Sequence, residues 1–112
     1  MIVCLRTVGV PSSQRTRFLE WIQENEVVRE EHGICAELVL EPTSGEGETV
    51  VLTIWPSHEV FDSWIATSER GRLTDSEVHQ AVDYRPITRY DVVGGYLRAS
   101  ALEAAVTLEE QR

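Results

Sequence analysis

Cysteine is scarce in this 112-residue chain: Cys4 and Cys35 are the only two, and neither has a CxxC or Cys–His neighbour. Nothing in that spacing reads as a structural zinc site, and both residues are expected as buried, reduced thiols within strands. No apolar run approaches the roughly 20 residues needed to cross a bilayer. The opening MIVCLRT also lacks the charged-then-apolar layout of a signal peptide, so a cytoplasmic location is expected. Positive charge is short as well. Ten Lys and Arg stand against nineteen Asp and Glu, a net charge of −9 that disfavours nucleic acid and anionic membrane as partners. There is no Gly-rich phosphate loop, Rossmann fingerprint, Ser-His-Asp context or metal-ligand spacing. Flavin and nicotinamide have no recognisable site, so no cofactor and no metal is expected.

What is present centres on residues 48–73, ETVVLTIWPSHEVFDSWIATSERGRL. Val50 to Trp55 is β-branched and aromatic and reads as a buried strand, which Pro56 stops because proline donates nothing to a ladder. Ser57 stands where a helix cap belongs. Behind it Val60, Phe61, Trp64 and Ile65 share one helical face. A pocket in so small a protein is expected between that helix and the sheet beneath it.

The remaining chain completes a pattern. Residues 1–10 read as a strand with two mostly apolar faces, Ile2, Cys4, Arg6 and Val8 against Val3, Leu5, Thr7 and Gly9. A cap at Pro11-Ser12-Ser13 precedes a helix carrying Phe18, Trp21, Ile22 and Val28, which His32-Gly33 closes. Ile34 to Leu40 is a second strand, and residues 41–47 form a charged hairpin loop. After the central unit, Arg70-Gly71-Arg72 reads as a turn and residues 75–82 as a short helical piece. Pro86 opens a last strand over Ile87 to Val93, and Ala99 to Glu109 reads as a terminal helix. One folded domain over 1–97 with a C-terminal helix or tail over 98–112 is the expected layout.

Strand, helix, strand, strand, helix, strand is the ferredoxin-like βαββαβ arrangement, an α+β fold with an antiparallel sheet. Two helices cover one face and leave the other bare. If Val3, Leu5 and Thr7 look toward the helices, the bare face shows Cys4, Arg6, Val8, Val39 and Val93 with a few ion pairs. Packing that face on a second subunit would bury it, so a homodimer is expected.

Thr49 to Ser57 followed by Phe61 and Trp64, and then Arg89-Tyr90-Asp91-Val92, resembles the antibiotic biosynthesis monooxygenase family over about residues 1–96. The resemblance implies a dimeric α+β barrel with a pocket in each subunit between helices and sheet. It implies a cofactor-independent oxygenase acting on a phenolic, anthrone or quinol-type aromatic, with oxygen as co-substrate. Another branch of that family degrades haem, using an asparagine on the first strand, a tryptophan on the second helix and a haem-ligating histidine. Trp64 matches the tryptophan, but the other two positions fall at Thr7 and near Thr74, with His79 out of register, which disfavours haem degradation. The alternatives are a haem-binding or haem-degrading monooxygenase, and a non-catalytic dimeric module that binds a small apolar ligand or only dimerises.

The substrate-contacting set expected on this reading is Thr7, Phe18, Trp21, Phe61, Trp64, Arg72 and Tyr90, with His79 as a candidate general base. Each has a plainer account. Trp64, Trp21 and Phe18 can fill the core, and His79 can be a solvated residue on a polar helix. Trp55 is assigned to packing, and His32 and His58 to the surface. Arg70, Arg72 and Arg85 flank the expected mouth, where they could hold a carboxylate or phenolate or pair with Asp75, Glu77 or Asp83. Arg6, Arg89, Asp91 and Glu37 are expected as one polar cluster fixing the dimer register.

Overall fold

The computed structural model describes residues 1–74, 76–96 and 98, with Arg72 and Thr74 by their backbone alone. The expected C-terminal helix over Ala99 to Glu109, and the tail it belongs to, lie outside the described residues. Strand β1 (Ile2–Gly9) leads through a 3-10 turn (Ser12–Gln14) into helices α1 (Arg15–Glu24) and α2 (Glu26–Glu31). Strands β2 (Ala36–Leu40) and β3 (Thr49–Trp55) follow, then α3 (His58–Ile65), α4 (Ser68–Thr74) and α5 (Glu77–Gln80). Two short strands, β4 (Asp83–Tyr84) and β5 (Thr88–Asp91), end the described fold. The result is the α+β, ferredoxin-like arrangement with an antiparallel sheet. Among the described residues no helix is long and apolar enough to cross a membrane.

The sheet runs β2-β3-β1, and both β4 and β5 pair with the free edge of β1. β4 takes Val8 and Gly9, while β5 takes Ile2 to Leu5. The expected last strand over Ile87 to Val93 forms as β5, shorter at both ends, and β4 is an additional short strand ahead of Pro86. Pro86 lies in the gap, where it has no N–H to give, and the Arg85 N–H still reaches the Thr7 carbonyl at 3.1 Å.

The first helix is also divided, at Asn25. Its Nδ2 donates to the Trp21 carbonyl at 2.8 Å, a side chain competing locally with the helix ladder. The second piece ends as expected. The Gly33 N–H donates to Glu30 O and the Ile34 N–H to Arg29 O, with Gly33 at φ 100°, a Schellman closure that turns Ile34 toward the core. By contrast, Arg70-Gly71-Arg72 is helical rather than a turn. The Thr67 hydroxyl accepts from the Arg70 N–H at 3.2 Å, and Leu73 anchors the far end in the core, which offsets the weak propensity of Gly71.

Ser57 caps α3, its Oγ accepting from the Val60 N–H at 3.2 Å. Ser57→Ala should cost about 1 kcal/mol of stability, read from the denaturation midpoint; an unchanged midpoint would mean the cap contributes nothing.

The face assignment of β1 is the reverse of that expected. Trp55 lies opposite Ile2 in the β3–β1 register and packs under Phe61 and Trp64, so Ile2, Cys4, Arg6 and Val8 face the helices. Val8 is 1% exposed in the core and Val39 packs beside it. The bare face instead carries the rows Leu38, Leu52, Leu5 and Ala36, Ile54, Val3, Tyr90. Val93, beyond β5, is exposed. Cys4 is buried, but Cys35 is exposed and precedes β2 rather than lying within it; both are free thiols.

Candidate functional site

Two core clusters meet under the helices. One gathers Ile2, Cys4, Trp55, Phe61, Trp64 and Leu73; the other gathers Val8, Phe18, Val78 and Val82; Trp21 packs against both. Between them lies a cavity of about 120 Å³. Its apolar walls come from β3, α1, α3 and α4, with Trp55, Phe18, Trp21, Phe61, Trp64 and Leu73. Its size suits a single aromatic ring, by comparison with buried cavities of about 150 Å³ that take benzene.

The opposite wall is polar. Arg6 projects from β1 with its guanidinium carbon 5.3 Å from the centre of the Tyr84 ring, and the Tyr84 ring stacks on His79 at 4.3 Å. Arg29, only 7% exposed, lies 5.0 Å over Trp21, donates to Ile22 O and faces Glu37 at 3.5 Å. Arg70 of α4 completes that side.

Burial governs the titration of these groups. It raises the Glu37 carboxyl, against the pull of Arg29, and pushes the Tyr84 phenol up to about 12, so the phenol stays a neutral O–H donor. It raises the Cys4 thiol too, which leaves that sulfur protonated and a poor nucleophile. The Arg6 guanidinium is lowered by burial and then by the like charge of Arg70, while remaining cationic.

Residues 1–75 match the profile of the antibiotic biosynthesis monooxygenases. The chain belongs to the antibiotic biosynthesis monooxygenase family. Among curated proteins no sequence matches. Solved structures with the same fold include the haem-degrader MhuD from Mycobacterium tuberculosis with two haems in its active site. It is 18% identical, with 86% of this chain and 99% of that one covered and a TM-score of 0.69. A mutant of SnoaB, a cofactor-independent oxygenase from Streptomyces nogalater, is 10% identical over 84% of this chain and 94% of its own, at a TM-score of 0.69. A Deinococcus radiodurans structure assigned to the same family is 20% identical over 88% and 97%, at 0.66.

Within this antibiotic biosynthesis monooxygenase fold, the expected residues separate into two groups. Phe18, Trp21, Phe61, Trp64 and His79 converge on the cavity. Thr7 and Tyr90 do not line it: strand alternation puts both on the bare face, and the β1 side chain that reaches the cavity is Arg6. The side chain of Arg72 is outside the described ones. Arg85 is exposed and paired with Glu48 at 3.2 Å and Asp83 at 3.9 Å. The expected Arg6, Glu37, Arg89 and Asp91 cluster is dispersed. Arg89 binds Asp62 at 2.7 Å over Phe61, Asp91 binds His58 at 2.8 Å, and Glu37 meets Arg29. His32 is not a bare surface residue; it pairs with Glu69 and packs on Trp64 with ring centres 5.0 Å apart. Trp55 is core, as assigned, but also lines the cavity.

Arg29 was not anticipated, although its spacing from Phe18 and Ile22 places it on the same helical face. The side chains present do not fit an iron porphyrin with an axial imidazole. α4 turns Leu73, not a histidine, toward the cavity, and His79 is held between Tyr84 and Trp21.

Proposed function

We propose that this chain is a small cytoplasmic monooxygenase, independent of cofactor, that oxidises a phenolic or quinol-type aromatic. The observation that carries the reading is the single-ring cavity lined by indoles together with cationic, phenolic and imidazole groups. Trp64 and Trp55 supply a flat apolar platform for the reacting ring. His79 is the base that takes the phenolic proton, its ring fixed by the stack on Tyr84. The electron-rich anion then gives up electrons to oxygen, a C–O bond forms, and the hydroperoxide loses water to leave a carbonyl. Substrate C–H and O–H plus O2 become quinone plus H2O, with every electron drawn from the substrate.

The same reading makes the functional unit a homodimeric α+β barrel, with the bare faces of two sheets packed together. The apolar rows through Leu52 and Ile54 support it.

Oxygen uptake with a panel of single-ring phenols and hydroquinones tests the activity, with absorbance on adding haem run beside it. Uptake with a phenol, lowered about tenfold or more in kcat/KM by Trp64→Ala, is the expected result. No uptake across the panel would leave a ligand-binding module. A stoichiometric Soret shift would instead favour haem chemistry.

A further inference from the structure

Four of the described arginines already hold a carboxylate. Arg15 is with Glu41, Arg29 with Glu37, Arg85 with Glu48 and Arg89 with Asp62. Three of those four arginines are largely exposed, where a carboxylate matters least. Among the described residues neither Arg6 nor Arg70 has one, although both face the cavity and repel each other across it. No water-sized group reaches the Arg6 Nε or the Tyr84 hydroxyl, so what Arg6 can offer a ligand is its terminal guanidinium nitrogens. A guanidinium fork matches carboxylate as well as phosphate, and of the two the smaller, planar carboxylate suits a cavity of single-ring size. Glu37, the one acidic side chain lining the cavity among the described residues, is occupied by Arg29.

We infer that the natural ligand is an aromatic acid, its ring on the Trp55 and Trp64 wall and its carboxylate held by the terminal guanidinium nitrogens of Arg6, with Arg70 contributing charge. In a family pocket of single-ring size this names a hydroxybenzoate-like class. The inference rests on the proposed aromatic site but not on turnover, so binding and oxygen uptake are read separately.

The test is isothermal calorimetry with salicylate, salicylamide and phenol on the unmodified protein and on Arg6→Met and Arg6→Lys, each checked for folding by circular dichroism. Salicylate should bind about tenfold or more tighter than salicylamide, the scale of a charged hydrogen-bonded pair. Arg6→Met should erase that preference, weakening salicylate far more than salicylamide or phenol, a split that general misfolding would not produce. Arg6→Lys should keep part of it, since charge survives without the fork. Equal affinity for acid and amide, or a preference untouched by Arg6→Met, overturns the inference. No heat with salicylate overturns it too. Oxygen uptake with neutral phenols but no acid preference would keep the proposed function and sink this inference. Acid preference without oxygen uptake would do the opposite.

Discussion

Trp55→Ala should destabilise the protein by about 3–5 kcal/mol, the range for deleting a buried large side chain. The indole is 1% exposed, packs against Phe61 at 5.2 Å and Trp64 at 6.4 Å between ring centres, and donates its Nε1–H to the Thr53 hydroxyl at 3.0 Å. Its loss leaves a void beside an existing cavity and strands the Thr53 oxygen. Against a total stability of about 5–15 kcal/mol for a domain, the variant would sit near its unfolding threshold at physiological temperature. Urea denaturation followed by circular dichroism measures it. A loss below about 1 kcal/mol would show that the indole is not in a tightly packed core. Trp55→Phe, which keeps most of the apolar contact, should cost markedly less.

Leu52→Lys should convert the proposed dimer into a monomer. Leu52 lies at the middle of the bare face, with Leu38 on one side and Leu5 on the other in register, and Leu40 and Tyr90 toward its margins are already 42% and 52% exposed. Two copies of a lysine brought together near the centre of a face-to-face interface would bury like charges with no carboxylate between them. Analytical ultracentrifugation over micromolar concentrations should find the unmodified chain at twice its 12.7 kDa mass and the variant at that mass. An unmodified chain that sediments as a monomer would remove the dimer from the proposed function.

Much of this architecture was legible because local signals agreed with one another. Trp55, Pro56 and Ser57 specify end of strand, corner and cap in three consecutive residues, and the β3–α3 unit forms as read. His32-Gly33 similarly marks a true helix end. The parity of β1 was not legible, because both of its alternating sets are mostly apolar and a period of two then favours neither face. The choice is made 53 residues away, where Trp55 pairs with Ile2 and can be buried only on the helix side. That single reversal moved Thr7 out of the site and Arg6 into it. The Arg70-Gly71-Arg72 misreading has a similar origin, since glycine was weighed as a breaker while the cap at Thr67 and the anchor at Leu73 decide the matter. Of the candidate site, the aromatic half followed from helical spacing. The polar half did not, because Arg6, Glu37 and Arg29 come from three separate elements that only the sheet order brings together.

The chain has three tryptophans, and all three, Trp21, Trp55 and Trp64, border the cavity. The protein is therefore its own optical sensor. With no indole elsewhere to supply a constant background, whatever enters the cavity acts on the whole of the tryptophan emission. Trp21, beside Arg29 and His79, and Trp64, beneath His32, have differently polar surroundings, so displacing water from one end or the other should shift that emission in distinguishable ways. Unlabelled protein and a fluorimeter are then enough to screen candidate occupants.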